Sequence, residues 1–133
     1  MDTEIIKIAA NTTNYKSVNN YSHKVKFNNS LCGDEIKIYL KIKNNKIIDF
    51  GYQTKSCIYC QASASLLSRK TKNMKIPEIK QFLLLANNLF KSGKVKVPKY
   101  WNVFKKIFKK ENNSRKSCLL LPINALMKIM GTL

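Results

Sequence analysis

Apolar and polar residues alternate most strictly between residues 35 and 43. Ile36, Ile38, Leu40 and Ile42 take one face, and Glu35, Lys37, Tyr39, Lys41 and Lys43 take the other. A period of two predicts a strand with one buried and one wet face. Asn44-Asn45 follows, and asparagine tolerates the positive φ of a tight turn. A second strand is then predicted from Lys46 to Thr54, with Ile48, Phe50 and Tyr52 sharing a face. Upstream, His23, Val25 and Phe27 alternate with Lys24 and Lys26, which predicts a shorter strand.

Helical signals flank these strands. Ile5, Ile6, Ile8 and Ala9 predict a short helix over 3–10, and the polar stretch Asn11 to Asn20 reads as a loop. After Cys57 the pattern turns helical, and the small residues Ala62-Ser63-Ala64-Ser65 suit close approach to a sheet. A further helix opens at Pro77, carries Ile79, Phe82, Leu83, Ala86 and Phe90 at helical spacing, and stops at Ser92-Gly93. Residues 94–113 are irregular. Val95 and Val97 alternate with lysines, Pro98 interrupts, and Trp101, Phe104, Ile107 and Phe108 mix with lysines. A charged aromatic stretch of this kind can face lipid or nucleic acid, but packing its rings on the core is the simpler reading. Glu111 to Ser114 reads as a polar turn. A closing helix behind Pro122 presents Ile123, Leu126, Met127 and Met130. Strands followed by helices predict an α+β domain: a small antiparallel sheet of about three strands, covered on one face by helices. The length of 133 residues fits one domain, 1–133.

Composition narrows the function classes. Apolar residues make up 44%, as in a folded globule. No apolar run approaches the roughly 18 residues of a membrane span, and the acidic start Met1-Asp2-Thr3-Glu4 is unlike an export signal, so no membrane and a cytoplasmic setting are expected. The formal charge is +18 from 25 basic and 7 acidic residues. Arg69 and Arg115 are its only arginines, whereas base and phosphate readers favour arginine forks. The charge favours acidic partners without singling out nucleic acid.

The chemistry lies in the cysteines. With no export signal, metal or catalytic use outweighs disulfides. Cys32-Gly33-Asp34 precedes the best strand, and its glycine permits a sharp turn between two potential ligands. Cys57 opens a predicted helix, where N–H groups and the dipole favour a thiolate. Cys118 follows Arg115-Lys116-Ser117 at the entry to the last helix, among cations that lower a thiol pKa. Together Cys32, Asp34, Cys57 and Cys118 suit zinc, iron or a small iron–sulfur cluster. Cys60 makes a Cys-x-x-Cys with Cys57. It lacks the second pair of a zinc knuckle and the parallel βαβ frame of a redox motif, so it reads as a core residue. His23, the one histidine, sits on an apolar strand face and reads as structural.

Taken together these residues resemble the U-type iron–sulfur cluster assembly scaffolds, the NifU N-terminal/IscU/SufU family. Asn29-Ser30-Leu31-Cys32-Gly33-Asp34 is similar to that family's Asn-Pro-x-Cys-Gly-Asp. Ser56-Cys57 with Ala62-Ser63-Ala64-Ser65 is similar to its Gly-Cys and Ala-Ser-Ala-Ser pair, and Arg115-Lys116-Ser117-Cys118 to its third-cysteine motif. Ser56 and Ser30 depart from the usual glycine and proline, and Cys60 is an added thiol. Ser117 stands where the IscU branch has histidine. That substitution, with the long gap from Cys57 to Cys118, resembles the SufU branch.

The resemblance implies a metal held by Cys32, Asp34, Cys57 and Cys118, typically zinc in SufU-like proteins, or a transient 2Fe–2S cluster or iron. It implies a SufS-like cysteine desulfurase as partner, engaged by Arg115, and cluster-accepting apo-proteins downstream. Cys32 is the preferred sulfur acceptor and Cys118 the alternative. The expected function is a non-enzymatic scaffold or a sulfurtransferase-type acceptor. The rival readings are a basic nucleic-acid-binding module and a small structural zinc domain.

Overall fold

The alternating hairpin is the centre of the structure. The computed structural model describes residues 3–29, 33–90 and 97–133. Three antiparallel strands lie in the order β1 (His23–Asn28), β2 (Glu35–Lys43) and β3 (Lys46–Lys55). Val25 pairs with Ile38, Ile38 with Tyr52 and Leu40 with Phe50, so one face is continuously apolar. The turn residues Asn44 and Asn45 have φ of 53° and 62°, the left-handed pair that a two-residue hairpin demands.

Four helices complete the α+β fold: α1 (Thr3–Ala9), α2 (Ile58–Thr71), α3 (Ile76–Ala86) and α4 (Lys116–Met130). Helices α2 and α4 pack on the sheet and on each other, α1 rests against α2, and α3 against α4. The Ala-Ser run is buried throughout and acts through hydrogen bonds as well as through small size. Ser63 Oγ donates to the Leu119 carbonyl of α4 at 2.7 Å, and Ser65 Oγ donates to the Asn11 carbonyl at 2.6 Å. These bonds tie α2 to α4 on one side and to the 11–14 loop on the other. That loop continues along β3, where Lys16 N–H donates to the Tyr52 carbonyl and Tyr52 N–H to the Asn14 carbonyl. Gly51 is required there, because a Cβ would run into the Lys16 carbonyl and the Val18 side chain.

Several elements differ from the sequence expectation. A register shift at Lys41/Ile42 turns Ile47, not Ile48, into the fully buried partner of Ile42. Tyr39 is buried although it sits on the wet face, because Tyr21 packs edge-on at 5.6 Å and the Lys24 ammonium lies 5.4 Å over its ring. Helix α4 begins at Lys116, with Pro122 inside it rather than ahead of it. Helix α3 ends at Ala86 and passes into the 3-10 turn Asn87–Phe90. The Ser92-Gly93 stop and the alternation at Val95 lie outside the described residues.

The irregular stretch becomes two 3-10 segments, Lys99–Lys106 and Lys110–Arg115. Trp101 stacks on Phe82 at 4.1 Å, and Phe104, Ile107 and Phe108 are fully buried. Tyr100 donates its hydroxyl to the Lys70 carbonyl. Trp101, Phe104 and Phe108 therefore belong to the core, while Tyr100 stays exposed. His23 is half-buried, with Nδ1 in a hydrogen bond to Ser22 Oγ, as a structural histidine should be.

Candidate metal centre

Three joints of the fold meet at one point. The first is the connection from β1 to β2. Asn29 N–H donates to the Asp34 carbonyl at 2.8 Å, and Gly33 N–H to the Asn29 carbonyl at 2.9 Å, which closes the loop at its base. Gly33 has φ of +74°, a conformation that favours glycine. Asp34 follows with 8% exposure, and its Oδ2 is buried with no hydrogen-bond partner among the described residues.

The second joint is the passage from β3 to α2. Cys57 caps that helix in extended geometry, but its side chain makes no capping hydrogen bond, which leaves the sulfur to other uses. The third is the first turn of α4, where Cys118 is buried. No acidic residue occupies the first turn of either helix, and the carboxylate beside the two sulfurs is that of Asp34.

One ligand atom from each of Asp34, Cys57 and Cys118 lies within 4.8 Å of the others. A tetrahedral zinc with bonds of about 2.3 Å to sulfur holds its ligands roughly 4 Å apart, so the three atoms stand near that spacing. Two soft sulfurs and a hard oxygen fit zinc or iron. The buried Asp34 oxygen without a protein partner is what a cation would satisfy. Cys32 lies outside the described residues.

The surroundings separate Cys60 from this cluster. Cys60 is fully buried, and burial pushes its thiol up to about 12, while contacts to Ser56 and Thr54 pull the other way. Thr54 Oγ1 sits 3.9 Å from its sulfur and also donates to the Glu35 carbonyl at 2.6 Å, so one hydroxyl links β2, β3 and the start of α2. A thiol held protonated in this way is a poor metal ligand. Arg115 is exposed and rests its guanidinium 5.3 Å from the Tyr59 ring, which bridges the starts of α4 and α2 beside the cysteines. Sequence reasoning missed Thr54, Tyr59 and the hydrogen bond of Ser63 to α4. Only Tyr59 had a signal, its place between Cys57 and Cys60.

Comparison with known proteins follows the same lines. The family model described as the NifU-like N-terminal domain matches residues 2–99. The iron–sulfur cluster assembly scaffold protein IscU of Thermotoga maritima is 33% identical over 73 residues, covering 51% of each chain. IscU 1 and IscU 2 of Archaeoglobus fulgidus are each 38% identical over 50 residues, covering 38% of this chain and 33% of those proteins. The chain thus spans about half or less of the curated relatives it matches. Among solved structures, a candidate iron–sulfur cluster assembly scaffold protein for the SUF system from Fervidobacterium islandicum superposes with a TM-score of 0.89 at 21% identity, covering 98% of this chain and 96% of that one. The N-terminal part of a NifU-like protein from Brucella abortus gives 0.83 at 19%, covering 98% and 91%. At these identities the structures share the fold.

Proposed function

The chain belongs to the NifU-like N-terminal domain family, and from that premise we propose that it is an iron–sulfur cluster assembly scaffold or a zinc-dependent sulfur acceptor. The observation that supports this reading most is the convergence of Asp34, Cys57 and Cys118, which come from three separate joints of the fold. Cys32 would supply the fourth ligand from the β1–β2 connection. Bound zinc would hold the thiols as thiolates at neutral pH.

The chain's own residues then divide the work. Cys57, at the positive end of α2, anchors the site. Asp34 would be the harder donor in a sulfur-rich set and the one that a soft metal would hold least tightly. The accepting thiolate, Cys32 by preference and Cys118 otherwise, attacks the outer sulfur of a persulfide on a SufS-like cysteine desulfurase. The enzyme's S–S bond breaks, its thiolate departs with the electron pair, and the acceptor carries the persulfide. Arg115 stands at the rim for contact with that enzyme, and apo-proteins receive the product. Among the described residues no helix is long and apolar enough to cross a membrane.

Metal analysis and ultraviolet–visible spectra after anaerobic purification test the reading. Cys57→Ser should lose bound zinc or iron, whereas Cys60→Ser should retain it. A 2Fe–2S spectrum marks a scaffold, and a colourless zinc protein marks a sulfur shuttle. Equal metal content in Cys57→Ser and wild type would overturn the assignment.

A further inference from the structure

We propose that the wet face of the sheet at Lys26, Lys37 and Lys55 docks an acidic patch on the protein that delivers sulfur to the metal centre, an assignment that rests on the function proposed above. Lys26 and Lys37 are directly opposed in the β1–β2 register, and Lys55 faces Glu35 one rung along. Like charges placed opposite each other on a sheet are destabilising. Among the described residues one carboxylate serves the group: Glu35 accepts from the Lys26 ammonium at 2.7 Å. Among the described residues no carboxylate lies within ion-pairing distance of Lys37 or Lys55. Three cations thus share one anion around a concavity of about 340 Å³, floored by Gln53 and Thr54 and flanked by Tyr15.

Position ties the patch to the site. Glu35 follows Asp34 directly, and Lys55 stands two residues before Cys57. At about 3.3 Å per residue, Lys37 is roughly 10 Å along β2 from Asp34. A protein seated on these lysines would lie beside the end of the sheet that carries Asp34 and leads into Cys57.

The residue types around the concavity favour clustered carboxylates over a nucleic-acid backbone. Beyond the Lys26–Lys37 rung, Tyr39 is buried beneath Tyr21, and the next acid, Asp49, is already paired with Lys16 at 3.2 Å and Lys72 at 3.4 Å. Lys24 and Lys41 carry further positive charge along this face, but no arginine fork of the kind that grips phosphate lines the concavity.

Persulfide loading by a SUF-type cysteine desulfurase, followed as a function of acceptor concentration, tests the docking. The double variant Lys37→Glu/Lys55→Glu should raise KM about tenfold at low salt with kcat and zinc content unchanged, and the difference should shrink at high salt. The reversals Lys75→Glu/Lys99→Glu, equal in charge and outside the patch, should leave KM within about twofold. An unchanged KM in the first variant, or an equal rise in the second, overturns the docking surface. So does loss of binding to a labelled single-stranded DNA oligomer with KM intact, which assigns the face to nucleic acid. Wild-type protein that binds zinc but accepts no sulfur overturns the proposed function and the docking with it, whereas sulfur acceptance blind to the lysines overturns the docking alone.

Discussion

Replacing Asp34 by alanine should reverse the order of stability between the metal-free and zinc-loaded proteins. In the metal-free protein the Asp34 carboxylate is 8% exposed, and one of its oxygens is buried without a partner. Such a group costs about 1–3 kcal/mol. Asp34→Ala removes that penalty and forfeits little apolar contact, so the metal-free variant should be more stable by about 1–2 kcal/mol, or roughly 3–8 °C in Tm for a chain of this size. Zinc acts in the opposite direction. Ligand at a hundredfold excess over Kd adds about 2.7 kcal/mol to the form that binds it. Loss of one donor weakens binding, so the variant should gain much less. Differential scanning calorimetry with chelator and with excess zinc reads both arms: variant above wild type in chelator, wild type above variant in zinc. A metal-free Asp34→Ala that melts below wild type, or zinc shifts equal in both proteins, would refute the reasoning.

Three further outcomes follow from the packing. Ser63→Ala should lower stability by about 1–2 kcal/mol in urea titration, since it deletes a buried 2.7 Å bond to the Leu119 carbonyl and leaves that acceptor one donor short. Gly51→Ala should cost about 1–3 kcal/mol by the same measurement, because the Lys16 carbonyl is backbone and cannot swing aside. Cys60, with its thiol pushed up to about 12 by burial, should resist alkylation at pH 8 while the half-buried Cys57 in the metal-free protein reacts. Its contribution to stability is intact below the unfolded thiol's pKa and is lost as pH rises toward 12. Wild type should therefore lose about 2 kcal/mol relative to Cys60→Ser between pH 8 and pH 10.5; an unchanged difference would remove burial as the cause.

The elements legible in the sequence are those fixed by local periodicity. Alternation over 35–43 and the paired asparagines specify the hairpin, because a slip of one residue would move Ile36, Ile38 and Leu40 into water. The helical spacing of Ile79, Phe82, Leu83 and Ala86 likewise specifies the buried stripe of α3. What failed depends on tertiary contacts. Tyr39 is covered by a ring eighteen residues upstream in the chain, Tyr21, and alternation carries no record of that. Ile47 is buried through a register shift that only the paired strand reveals. Pro122 reads as a helix start, yet α4 already runs from Lys116, with its Leu119 carbonyl bonded to Ser63. At the site, residue types and chain order pointed to Asp34, Cys57 and Cys118, and their approach within 4.8 Å belongs to the fold. Thr54 left no trace and Tyr59 only its place between Cys57 and Cys60, since a hydroxyl bridge and a ring beneath a guanidinium depend on neighbours distant in the chain.

The single hydroxyl of Ser63 works as a rivet between two jaws. Each jaw, α2 and α4, carries one sulfur at its leading tip, and the rivet fixes how far one slides along the other. The gap between the tips is thereby gauged by a bond behind them, so it can be retuned without touching a cysteine. Loosening that bond would let the spacing of the two sulfurs change from behind, at a residue that touches neither.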